Sequence, residues 1–143
     1  MRLIMCQFGS IHNDSDGNIR ILAAEALSRL KIYPEHSLPV LKIVIETALA
    51  MKNNEKSDNV NDWLRMSIGA VGNYGHEATS FSKLLIRAMF ECDLNIAGYA
   101  VLSLEKIGSK EAIPAMRKLI LSKEAGDLKP FLEEAIEKLE ASI

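Results

Sequence analysis

The chain has 143 residues, 48% of them hydrophobic but only 6% aromatic, with a formal net charge of -2 and a pI near 5.9. That length supports one domain burying about two thirds of its unfolded surface. The charge excludes a protein built mainly to track nucleic-acid phosphates, which needs clustered Lys and Arg. Four prolines and the lack of an alternating Val, Ile and Thr run leave little room for a sheet, so the fold class is all-α.

In chain order, Arg2 to Phe8 reads as a short apolar helix that starts the chain halfway through a repeating unit, a half-repeat over 1–12. It is too brief for a signal segment and has no small-residue cleavage site. An orphan half-unit either caps a stack or leaves an apolar end for another chain, so a homodimer through an exposed end is an expectation. Gly9 to Asn18 is polar, and its HNDSDGNI core invites comparison with calcium loops. The comparison fails: with Gly17 at the sixth position, His12 falls on the first ligand position and Ala23 on the twelfth, where a bidentate Glu is needed. Ser15 or Asp16 capping a helix explains the loop better.

The helix that follows, Asp16 to Leu30, is the unit from which the rest is copied. Ile19, Ala23, Leu27 and Leu30 recur at intervals of three and four and are expected to form its packed face, with Ala24 and Ala26 beside them. Shifted by 44 the pattern meets Trp63, Ser67, Ile68, Val71 and Tyr74; shifted by 77 it meets Ile96, Leu104 and Ile107; shifted by 112 it meets Phe131, Ala135, Ile136 and Leu139. Second apolar helices are predicted over Leu38 to Met51, Phe81 to Cys92 and Ile113 to Leu121. The single domain 1–143 therefore divides into the half-repeat 1–12, repeats at 16–51, 60–92 and 93–123, and a capping helix at 128–142. Lys52 to Asn61 reads as a solvated connector. Gly75 and Gly108 read as helix terminators, while Gly69 and Gly72 mark close helix packing or an approach to the backbone.

The run Asp16, Ile19, Arg20, Ala23, Ala24, Ala26 and Leu27 resembles the first helix of a HEAT repeat, the armadillo-type helical repeat. The resemblance implies an α-solenoid of about three and a half stacked antiparallel helix pairs. It also implies a ladder of aspartate and arginine between repeats, although the third copy has Ala97 where the arginine would stand. In such stacks the second helices line the concave side, where partners bind. Here those helices carry Lys42, Lys83, Arg87, Arg117 and Lys118, a candidate partner-binding face; Lys83 and Arg87 are one turn apart, and Lys42 and Arg117 become equivalent if Pro39 and Pro114 are aligned.

No reactive cluster accompanies that face. His12, His36 and His76 lie in or near predicted turns without ligand spacing, and HExxH, CxxC, GxSxG and a phosphate-cradling glycine loop are absent. Catalytic, cofactor and metal residues are therefore predicted as none. Trp63 sits at a core position, and Glu133, Glu134, Glu137 and Glu140 read as a solvated face of the last helix. Cys6 and Cys92 lie among apolar residues, as free thiols in a reducing compartment do. The reading is a cytoplasmic, non-catalytic protein-interaction module, an adaptor or an inhibitor of immunity type, whose partner is another protein of acidic character rather than nucleic acid or a membrane. The alternative is an enzyme or enzyme subunit of HEAT-like type, related to chromophore lyases or to nucleic-acid processing.

Overall fold

The computed structural model describes residues 15–51 and 58–142. The half-repeat 1–12, with Cys6, His12 and the calcium-like loop up to Asp14, lies outside the described residues. Among the described residues there are seven α-helices: α1 (Ser15–Leu30), α2 (Pro34–Ala50), α3 (Asp58–Asn73), α4 (Ser82–Glu91), α5 (Leu94–Ile107), α6 (Ile113–Ile120) and α7 (Lys129–Ala141). Short 3-10 turns at Gly75–Phe81, Lys110–Ala112 and Lys123–Leu128 join them, and no strand occurs among the described residues.

The first helices form one layer, α1 against α3, α3 against α5 and α5 against α7; α2, α4 and α6 form the other. This is an α-solenoid of stacked helix pairs. The tightest packing between the layers crosses from one unit to the next: α2 lies against both α1 and α3, α4 against α5, and α6 against α7. The cause is the 3-10 segments that open the connections from α3 to α4 and from α5 to α6, where helices sharing a tight turn would otherwise meet. Each pair thus leans on its successor, so no unit buries its apolar face alone.

Local chemistry sets the helix ends. The Asp93 carboxylate accepts the Ile96 backbone N–H at 3.0 Å and starts α5. Asp93 thereby serves its own helix rather than a ladder, and Arg65 pairs with Asp62 inside α3. At the far end of α5, Gly108 adopts φ 77°, and Ser109 N–H reaches back to the Leu104 carbonyl at 3.1 Å. The same turn closes α1 with a residue ill suited to it. Lys31 takes φ 58°, and Ile32 N–H bonds the Leu27 carbonyl at 3.2 Å. The predicted connector Lys52 to Asn61 is shorter than expected, because α3 already begins at Asp58, whose carboxylate favours the positive end of the helix.

The core is one continuous cluster of leucine, isoleucine, valine and alanine with Trp63 buried at the edge of α3. In α3 and α5 the copied positions are buried as expected: Trp63, Ser67, Ile68, Val71 and Tyr74, then Ile96, Leu104 and Ile107. In α1 the expectation is corrected. Ile19 and Leu30 are 60% and 67% exposed and Ala23 and Ala26 are open to solvent, whereas Ile21, Ala24 and Ser28 are buried. The positions equivalent to the open ones in α3 and α5 face the preceding unit, and α1 has no such neighbour among the described residues. Phe131, expected in the core, is 63% exposed for a different reason: α7 buries only the Leu132, Ala135, Ile136 and Leu139 stripe, one residue further round.

Two glycines expected to mark close packing separate cleanly. A side chain at Gly72 would stand 2.7 Å from Ser103 Oγ and 2.9 Å from Ser103 Cα, so α3 and α5 meet there backbone to backbone. Ser103 Oγ donates to the Ile68 carbonyl at 2.7 Å across the same seam. At Gly69 an added side chain would meet nothing within 4 Å.

Candidate functional site

Of the five cations proposed from the sequence, the fold brings three together. Lys42 on α2 and Lys83 and Arg87 on α4 line one depression of about 240 Å³ with Glu46, walled by Ser80, Phe81 and Leu84. The i,i+4 spacing of Lys83 and Arg87 puts both on the side of α4 that faces α2. Arg87 is not free. Its Nε and Nη2 donate to the two carboxylate oxygens of Glu91 at 2.9 and 3.3 Å, and Glu91, with a smaller effect from Glu46, holds the guanidinium pKa above its ordinary value. Lys42 and Lys83 make no ion pair among the described residues, so their ammonium groups are the open charges of the depression.

Arg117 and Lys118 lie elsewhere. Arg117 Nη2 donates to Glu140 Oε2 at 2.8 Å and ties α6 to α7. Lys118 is exposed on the same helix. Pro39 lies inside α2, whose first turn holds Pro34, whereas Pro114 occupies the first turn of α6 directly after a 3-10 turn.

A larger surface feature has no counterpart among the sequence-based expectations. Between α5 and α7 runs an open groove of about 710 Å³, lined by Leu94, Gly98, Tyr99, Leu102 and Phe131 and floored by Leu128. Its rim carries Glu105, Asp127, Glu134 and Lys138. Lys138 Nζ is shared between Glu134 at 3.0 Å and Glu105 at 3.2 Å, and these bonds, Glu134 first, hold its pKa above the ordinary lysine value. The signal for this groove was the apolar residues of α5 left over from its buried stripe, Leu94, Tyr99 and Leu102. A helix apolar beyond one face has a second surface to cover.

His36 and His76 are exposed, and Cys92 is half-buried. Among the described residues no three His, Cys, Asp or Glu side chains cluster as metal ligands would, and no helix is long and apolar enough to cross a membrane.

Residues 96–122, from the first turn of α5 to the end of α6, match the family model described as PBS lyase HEAT-like repeat. The stretch therefore carries one HEAT-like repeat, set among helix pairs before it and a single helix after it that stack as an α-helical solenoid. No curated protein and no solved structure matches it.

Proposed function

We propose that this chain is a non-catalytic protein-binding module whose second-helix face, the concave side in HEAT-like stacks, takes an acidic segment of a partner protein. The observation that carries this reading is the meeting of Lys42, Lys83 and Arg87 in one depression between α2 and α4. Lys42 and Lys83 make no ion pair among the described residues, although Glu46 lines the same depression. A carboxylate brought there replaces water around two ammonium groups without breaking an existing pair, which is the arrangement that speeds and orients association. Phe81 and Leu84 supply apolar wall for the stem of an Asp or Glu residue. An adaptor and an inhibitor would both use such a surface.

The test compares wild type with a Lys42→Glu, Lys83→Glu double variant in capture from native extract, followed by titration of the captured partner in purified form. These positions are preferred to Arg87, whose replacement would also release Glu91. Capture by wild type and loss of at least about tenfold in affinity with the variant is expected, at unchanged circular dichroism. Equal binding by both proteins removes the site. The rival reading, an enzyme or enzyme subunit, draws on the word lyase in the name of the matched repeat, and turnover by the purified chain would establish it.

A further inference from the structure

The groove between α5 and α7 takes no part in the basic depression, and its apolar lining is open. Leu94, Tyr99, Leu102 and Phe131 are between 42% and 63% exposed. The core is built from the other faces of the same helices: α5 buries Ile96, Ala100, Leu104 and Ile107, and α7 buries Leu132, Ala135, Ile136 and Leu139. Large apolar side chains gathered on one surface mark an interaction site more often than the same side chains scattered.

The shape suits a helix. Leu94, Gly98, Leu102 and Glu105 follow one another along α5 at intervals of four, four and three, a track of roughly 16 Å or three turns. Phe131 stands on the α7 side and Leu128 forms the floor. Gly98 leaves a notch in the track, because a Cβ there would meet only Leu128 Cδ1, at 3.6 Å. Beside Leu94 the turn Lys123–Leu128 closes in, with the Cβ position of Gly126 3.4 Å from Leu94 Cδ1. A trough open along its length between two helices receives a ridge of side chains from a third. A small ligand is held instead by a cavity that encloses most of its surface.

Charge then selects the helix. Among the residues lining the groove, Glu105, Asp127 and Glu134 stand against one lysine, Lys138, which Glu105 and Glu134 already hold. The sign is the same over the whole of α5, the Lys123–Leu128 turn and α7, where seven carboxylates stand against four lysines. Two copies of the chain joined groove to groove would set this excess of negative charge against itself. A helix flanked by Lys and Arg meets the opposite potential.

We propose that the α5–α7 groove binds an amphipathic helix of a partner protein, with apolar side chains one turn apart seated along Leu94, Gly98, Leu102 and Phe131 and with lysine or arginine beside them facing Glu105, Asp127 and Glu134. The mode is that of a helix laid by its apolar face into a groove. It uses neither Lys42 nor Lys83, so it stands or falls independently of the basic depression between α2 and α4.

Fluorescence anisotropy on the full chain tests it with three labelled peptides of about 18 residues, or five helical turns. One is built of leucine and lysine with the leucines on one helical face, the second is an isomer of the same composition with that face scrambled, and the third keeps the leucine face but carries glutamate for lysine. The first is expected to bind with a Kd below about 100 µM and the other two at least about tenfold more weakly. Gly98→Leu, which fills the notch, and Phe131→Ser, which removes a wall, each weaken the first peptide about tenfold at unchanged circular dichroism. Lys138→Gln frees Glu105 and Glu134 and tightens it about threefold, whereas Lys83→Gln, an equal change of net charge on the other helix layer, alters it less than about twofold. Failure of the leucine and lysine peptide to bind overturns the proposal, as does equal binding of its scrambled isomer, preference for the glutamate peptide, or wild-type affinity in either groove variant. Equal tightening by Lys138→Gln and Lys83→Gln does so too, since the attraction would then be to net charge. Sedimentation of the chain alone supplies the remaining outcome: self-association that Phe131→Ser abolishes would give the groove to a second copy and overturn the partner helix.

Discussion

Replacing Gly72 by alanine tests how α3 and α5 are joined. Helix propensity alone favours the change, since alanine is better than glycine in a helix interior by about 1 kcal/mol. Packing opposes it. The new methyl would stand 2.7 Å from Ser103 Oγ, 2.9 Å from its Cα and 3.0 Å from its Cβ, and the Cα belongs to backbone that cannot turn aside. Separating two well-packed helices to relieve such a contact costs about 1–3 kcal/mol. Stretching the Ser103 hydroxyl off the Ile68 carbonyl adds about 1 kcal/mol, because both groups are buried. The balance is a loss of about 1–3 kcal/mol, or roughly 3–10 °C in Tm for a chain of this size. Thermal denaturation followed by circular dichroism measures it, with Gly69→Ala as the internal control. Gly69 is also inside α3, but an added methyl there would meet nothing within 4 Å, so its replacement is expected to raise stability by about 0.5–1 kcal/mol. A Gly72→Ala protein as stable as Gly69→Ala would refute the close approach of the two helices.

Lys31→Gly is expected to stabilise the protein by about 0.5–1 kcal/mol, since Lys31 holds φ 58° at the end of α1 where the copies downstream carry Gly75 and Gly108, and the relief exceeds glycine's entropic cost; an unchanged or lower denaturation midpoint in urea would show that the turn is not strained. Ser67→Ala is expected to gain about 1 kcal/mol, because the Ser67 hydroxyl is buried without a hydrogen-bond partner among the described residues and alanine keeps the Cβ that packs there; a measured loss would mean that the hydroxyl is satisfied in solution.

Much of this architecture was legible in the amino-acid pattern, and the reasons are local. Spacings of three and four, Asp93 ahead of α5 and Gly108 behind it specify where a helix runs and ends from interactions within one turn. The recurrence of one pattern implied stacking, because no single pair buries its own stripe. The fold, the second helices and the placement of Trp63 in the core followed from those two arguments.

What periodicity leaves open is which stripe finds a neighbour. Ile19, Ala23 and Leu30 carry the same signal as Trp63, Ser67 and Tyr74, yet the latter are buried and the former exposed, since burial depends on the unit that comes before. Phe131 went astray by one residue for a different reason: rotation of α7 against α5 decides whether it or Leu132 faces inward. The functional surfaces are likewise products of tertiary structure. Sequence set Lys42, Lys83, Arg87, Arg117 and Lys118 on one candidate face; the structure brings Lys42, Lys83 and Arg87 to one depression and pairs Arg117 with Glu140. A helix's own sequence determines that it will be a helix and which residues share a face; the angle at which the next helix meets it determines what that face does.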